Sequence, residues 1–214
     1  MSKPHATVET PAGSVSVARD GGPDPAATLV LAHGAGADMH HRFMQHFATG
    51  LAGDALAVVR FNFVYSERGR KAPDRLPALI AAYRAVAEQV RTQTVEKRLF
   101  LGGKSMGGRV ASHLVADGFA ADGLVFLGYP LHPPGKPDRL RSEHLARIGA
   151  PMLFVEGTRD PFCPLETLAS VRQTLNAPTA LSVVEDGDHS FKVRKSSGRS
   201  TDEAWNEAIA AVRS

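Results

Sequence analysis

Short apolar runs alternate with amphipathic stretches along most of this chain. Residues 28–32 read TLVLA, and similar runs recur at 55–61, 98–101, 124–127, 152–155 and 181–184. Runs apolar at consecutive positions fit strands covered on both faces, as in a parallel sheet. Residues 14–18 (SVSVA) alternate instead, which predicts a half-exposed edge strand. Between the runs lie helical patterns. Met39, Phe43, Phe47 and Leu51 repeat every fourth residue, and 76–95, 106–116, 165–175 and 202–212 carry further amphipathic periodicity. Ser200, Thr201 and Asp202 are capping candidates for the last helix. The alternation predicts an α/β domain with a mostly parallel sheet and helices on both faces. Connections are short, so one domain is expected over 1–214, with residues 1–13 irregular.

Composition narrows the class. The chain has 214 residues, 43% of them hydrophobic, with one cysteine and a formal charge of +3. That apolar content is too high for a disordered chain. A single cysteine excludes an internal disulfide and any multi-cysteine metal motif. No apolar run approaches the roughly 20 residues that span a bilayer. The N-terminus lacks a signal-peptide pattern, so the expectation is a cytoplasmic protein with neither a membrane nor a nucleic-acid partner.

The chemistry concentrates at Gly103-Lys104-Ser105-Met106-Gly107, a G-x-S-x-G pattern with a strand run before it and a helical pattern after it. A tight strand-to-helix turn of this kind projects a serine Oγ clear of the sheet, and small residues on either side let the chain pass. The Met106 amide, at a helix N-terminus, is a natural donor to an oxyanion. A phosphate-loop reading fails because the required first glycine falls at Arg98. A dinucleotide reading of Gly34-Ala35-Gly36 fails because its third glycine falls at Met39.

A serine needs a base, and the base needs an acid to orient it. Of the downstream histidines, His189 lies in a polar loop between the last strand and the last helix; His132 lies in a proline-rich loop and His144 in a helix. Asp160 follows the strand 152–155 and is the candidate acid, over Glu156, Asp186 and Asp188. The loop from His33 to Asp38 should supply a second oxyanion amide, from Ala35 with Gly36 as the alternative, and His33 reads as its organiser.

With these residues in place the chain resembles the serine α/β-hydrolase superfamily, and within it a small capless bacterial branch loosely similar to dienelactone hydrolases. The matching segments are LAHGAGAD (31–38), RFNF (60–63), GGKSMGGR (102–109), GYPLHPPGK (128–136), GTRDPF (157–162) and GDHSF (187–191). The resemblance implies an α/β-hydrolase fold and Ser105, Asp160 and His189 as the triad. Dienelactone hydrolases use cysteine where this chain has Ser105, so their substrate is not carried over.

Residues 128–137 contain four prolines and read as a stiff loop rather than a lid. An open site suits small soluble esters. Phe61, Phe63, Tyr65, Tyr129, Leu131 and Phe162 are candidate substrate walls. Arg68, Arg70 and Lys71, with Lys192, Arg194 and Lys195, read as solvated surface, or as contacts for an acidic substrate group. His40, His41 and His46 show no metal-ligand spacing, and no cofactor is expected. The function expected is hydrolysis of small carboxylic esters or thioesters through an acyl-enzyme on Ser105. An acyltransferase or thioesterase with the same triad, and a non-catalytic binding protein of this fold, are the alternatives. The oligomeric state stays open.

Overall fold

The computed structural model describes residues 6–94 and 97–214. Eight strands form one sheet in the order β1-β2-β4-β3-β5-β6-β7-β8. The strands are β1 (Ala6–Val8), β2 (Val15–Asp20), β3 (Ala27–Ala32), β4 (Leu56–Phe61), β5 (Arg98–Lys104), β6 (Gly123–Leu127), β7 (Met152–Gly157) and β8 (Thr179–Val184). From β4 to β8 every pairing is parallel; β1 and β2 add an antiparallel edge.

Alternation along each strand builds two cores. Val30 and Ala32 of β3, with Leu124 and Phe126 of β6, face one side; Leu29, Leu31, Val125 and Leu127 face the other. Side chains of successive strand residues point to opposite faces, so a strand covered twice must be apolar at every position. Helices α3 (Leu76–Gln93), α4 (Met106–Ala116) and α5 (Leu165–Gln173) cover the first face. Helices α1 (Arg42–Leu51) and α6 (Thr201–Arg213) cover the second. Ser200 caps α6 in a reciprocal capping box with Glu203, which satisfies two otherwise orphan amides.

The fold departs from the sequence expectation in four places. Residues 1–13 were expected to be irregular; Ala6–Val8 instead pairs with β2, and Val8 is buried. Three ladder pairs and one buried valine hold it, too short a signal to read from pattern; residues 1–5 lie outside the described part. Helix α1 starts at Arg42 rather than Met39, because the Asn62 side chain accepts from the Met39 amide (2.8 Å) and Arg60 donates to the Met39 carbonyl (2.6 Å). A single turn, α2 (Val64–Glu67), follows β4. The described part of the expected 76–95 helix ends at Gln93.

Strand order reverses at β3 and β5. The chain leaves β3 toward the face of α1 and leaves β5 toward the face of α4, which opens a crevice above their C-terminal ends. Open α/β sheets bind ligands at such a switch point.

Candidate active site

Ser105 sits at the top of β5 with φ 52° and ψ −113°, a region that L-residues avoid. Two glycines make the turn possible. A Cβ on Gly103 would stand 2.5 Å from the Ala32 carbonyl oxygen, and one on Gly107 would stand 2.3 Å from the same atom. Backbone of β3 is therefore in contact with both sides of the turn, and no larger residue fits. The Ser105 amide donates to the Leu127 carbonyl (3.0 Å). Under the strand, the buried Tyr83 hydroxyl lies 2.7 Å from the Val30 carbonyl and 2.8 Å from that of Gly102, and accepts from the Gly102 amide (2.9 Å).

The structure brings Ser105, His189 and Asp160 into one hydrogen-bonded line. His189 Nε2 is 2.8 Å from Ser105 Oγ, and Nδ1 is 2.6 Å from Asp160 Oδ2. A carboxylate only accepts, so Nδ1 carries the proton and Nε2 turns its lone pair to the serine hydroxyl. The Asp160 side chain is fully buried, and its other oxygen accepts from the Phe162 amide (2.8 Å). Burial holds the His189 imidazole below its ordinary pKa; the Asp160 hydrogen bond opposes this and the nearby Lys104 charge adds to it. The imidazole is thus neutral near pH 7.

The other acids are engaged elsewhere. Glu156 is buried inside β7 and accepts from the Tyr129 amide (2.6 Å). Asp186 is ion-paired with Arg159 and Arg194. Asp188 accepts from the Ser190 (2.7 Å) and Lys192 (3.0 Å) amides, bracing the turn that carries His189. Of the other histidines, His144 bonds Ser112 away from the elbow, whereas His132 lines the crevice with Nδ1 against the Pro133 carbonyl (3.0 Å).

The loop after β3 is braced from beneath. His33 Nδ1 donates to the Gly34 carbonyl (2.8 Å), and Nε2 accepts from the Phe63 amide (3.1 Å). Burial keeps this ring neutral by lowering its pKa. The Tyr65 hydroxyl accepts from the Gly36 amide (3.3 Å), and Ser66 Oγ donates to the Ala37 carbonyl (3.2 Å). Ala35 and Met106 both line the crevice beside Ser105.

Most of the expected substrate walls are not walls. Phe61, Phe63, Tyr65, Tyr129 and Leu131 are fully buried in the first core, where Phe61 packs edge-on against Phe63 and Tyr83, Tyr129 edge-on against Phe154, and Phe63 stacks on Tyr65. Phe162 alone of the six lines the crevice, its ring centroid 4.7 Å from that of His189. The basic clusters also fall outside it. Arg68 donates to the Ala12 carbonyl (2.7 Å), Arg70 pairs with Asp74 (2.6 Å) and Arg194 with Asp186; Lys71, Lys192 and Lys195 are likewise absent from the lining.

The crevice has a volume of about 530 Å³. Sequence reasoning did not single out three cations that line it: Lys104, Arg109 and Arg141. The Lys104 ammonium is buried with no hydrogen-bond partner among the described residues, and burial lowers its pKa to about 8. Burial also raises the nearby Glu156 carboxyl well above the carboxylate range. A lysine ending an otherwise apolar strand was the available signal for the first. Among the described residues no group of three or more histidine, cysteine or acidic side chains could hold a metal ion. His41 caps α1, and His46 bonds Asn206 (2.9 Å). No helix of the described residues is long and apolar enough to cross a membrane.

A family model described as an alpha/beta hydrolase domain matches residues 25–214. Among solved structures, an alpha-beta serine hydrolase homologue from Coxiella burnetii aligns over 100% of this chain and 99% of its own, at 19% identity and TM-score 0.79. An a/b serine hydrolase without lid from Xanthomonas campestris aligns over 100% and 94%, at 24% identity and TM-score 0.75. A dienelactone hydrolase from Anabaena variabilis aligns over 97% and 94%, at 16% identity and TM-score 0.72. At these identities the likeness is one of fold. It agrees with the capless architecture seen here: among the described residues, only a 3-10 turn at Glu143–Arg147 lies between β6 and β7.

Proposed function

This chain belongs to the α/β hydrolase family, and on that premise we propose that it is a serine hydrolase of small carboxylic esters or thioesters, acting through an acyl-enzyme on Ser105. The observation that carries this reading is the continuous line Asp160–His189–Ser105 at a positive-φ turn opening on a crevice. Ser105 Oγ attacks the carbonyl carbon as His189 Nε2 takes its proton. The resulting oxyanion lies against the Met106 and Ala35 amides. Ala35 is favoured over Gly36 because the Gly36 amide already donates to Tyr65. Each such donor is worth roughly 3 kcal/mol of barrier. His189 then gives its proton to the leaving alcohol or thiol, the carbonyl re-forms and the acyl group stays on Ser105. Water, deprotonated by the same imidazole, releases the acid. Asp160 stays ionised throughout and steadies the imidazolium.

The test is covalent labelling with a fluorophosphonate probe beside turnover of p-nitrophenyl acetate and longer homologues. Wild type should label and turn over, with the shortest chains preferred at so open a site, and Ser105→Ala should do neither. A folded wild type that fails both overturns the reading and leaves a binding protein of this fold. Added alcohol or acyl-CoA acceptors that divert the acyl group from water would mark an acyltransferase.

A further inference from the structure

Arg109 and Arg141 are the unusual arginines of this molecule. Arg60, Arg159 and Arg194 each meet an acid, and Arg172 is engaged by Thr179. Arg109 and Arg141 are each half-buried, both line the crevice with Ser105 and His189, and neither guanidinium has a hydrogen-bond or ion-pair partner among the described residues. Their backbones fix them in place: the Arg109 amide donates to the Ser105 carbonyl (3.1 Å), one helical turn from the nucleophile, and the Arg141 amide donates to the Leu131 carbonyl (2.7 Å). Burial first, and then the Arg141 charge, lowers the Arg109 pKa. Beside them His132 lines the crevice; its Nδ1 donates to the Pro133 carbonyl (3.0 Å), so its buried Nε2 offers a lone pair and not a proton.

A half-buried guanidinium with no protein acceptor has lost part of its hydration, which a ligand acceptor can replace. Two like charges held together in a crevice cost more still. The acid of the lining does not offset them, since Asp74 is taken by Arg70, and Asp160, outside the lining and behind the imidazole, is taken by His189. A ligand anion would satisfy both guanidinium groups at once, since these bind carboxylate and phosphate through paired charge-assisted hydrogen bonds.

We propose that the crevice takes esters bearing an anionic group, a carboxylate or a phosphate, held between Arg109 and Arg141. This rests on the hydrolase reading of Ser105 and names its substrate class. The anion sits toward α4 and the 128–141 strap, and the scissile carbonyl sits over Ser105. Charge discrimination is then built into ground-state binding and shows chiefly in KM.

The test compares 4-acetoxybenzoate and 4-acetoxyphenyl phosphate with the neutral methyl 4-acetoxybenzoate on wild type, Arg109→Met, Arg141→Met and Arg109→Lys. Wild type should favour a charged ester by about tenfold or more in kcat/KM, the worth of one charge-assisted hydrogen bond. That ratio should collapse in both methionine variants through KM and recover in part in Arg109→Lys. A preference for the benzoate or for the phosphate identifies which anion the site takes. A ratio unchanged across wild type and both methionine variants overturns the proposal. If wild type neither labels nor turns over, the hydrolase reading fails on its own, and the anion site is judged by calorimetric titration with benzoate and inorganic phosphate. Binding that is lost in a folded Arg109→Met or Arg141→Met protein upholds it; no binding, or binding unchanged in both, overturns it.

Discussion

Ser105 Oγ lies 2.8 Å from His189 Nε2, and Ser112 Oγ lies 2.8 Å from His144 Nε2. Both serines belong to the same strand–helix unit, one at its turn and one inside α4. Around the first pair, Asp160 fixes the tautomer, the crevice gives access and the backbone at Ser105 is strained. Around the second, Ser112 is fully buried and its hydroxyl donates back to the Arg109 carbonyl (2.7 Å). His144 stacks on His113 with centroids 3.6 Å apart. Burial first, then His113, Arg109 and Arg147, push its pKa down to about 3. With cations about it and its partner's proton already placed, His144 is a neutral structural donor. On the proposed function, the acid behind the ring and the space before it are what make the first contact the reactive one; distance alone does not separate the two cases.

The comparison breaks most visibly at the acid. Asp160→Asn keeps the shape but lets the imidazole take the wrong tautomer, which should lower kcat by about 10³- to 10⁴-fold while fluorophosphonate labelling slows in parallel. Were Asp160→Asn to keep near-normal turnover, the two pairs would differ only in access.

The next test sharpens the electrostatic contrast. His189 must be neutral to act, so kcat/KM should rise with pH and level off above an acid-limb midpoint below 6.5, the ordinary imidazole value. Lys104, Asp160 and Asp188 are the charges that act on this ring, and only Lys104 opposes its protonation. Lys104→Met removes that opposition, so the midpoint should move to higher pH. A profile that stays in place would mean that Lys104 does not set the proton affinity of the base.

The smallest effect is expected at the second pair. Ser112→Ala should leave kcat/KM on neutral esters within about twofold, since nothing reacts there. It should cost roughly 1–3 kcal/mol of stability, read by urea denaturation, because the buried His144 and Tyr129 lose a partner. A large loss of turnover with stability unchanged would reassign the chemistry to α4.

What could be read in advance divides along the same physical line. The strands of the sheet interior were legible because covering both faces forces unbroken apolar runs. Ser105, Asp160 and His189 were legible because each ends a strand in a short polar loop with its own local pattern. The misread walls were Phe61, Phe63, Tyr65, Tyr129 and Leu131. A residue after a strand end can turn toward the crevice or under it, and loop bracing by Tyr65 or Glu156 decides which. No periodicity records that choice. Arg109 and Arg141 were passed over for a related reason: what distinguishes them from other arginines is that they are half-buried in the crevice without a partner, which only the folded arrangement reveals.

The Ala32 carbonyl oxygen, against which both Gly103 and Gly107 close, belongs to a strand laid down far earlier in the chain than the elbow it shapes. Parallel pairing of β3 with β5 spans the intervening β4 and α3, a non-local contact of the kind that forms slowly because a long loop must close first. The serine acquires its geometry only once that closure has occurred. On the proposed function, covalent labelling of Ser105 during refolding is therefore a clock for the central strand pairing, and a chain with native helices but an unpaired β3 would be chemically silent.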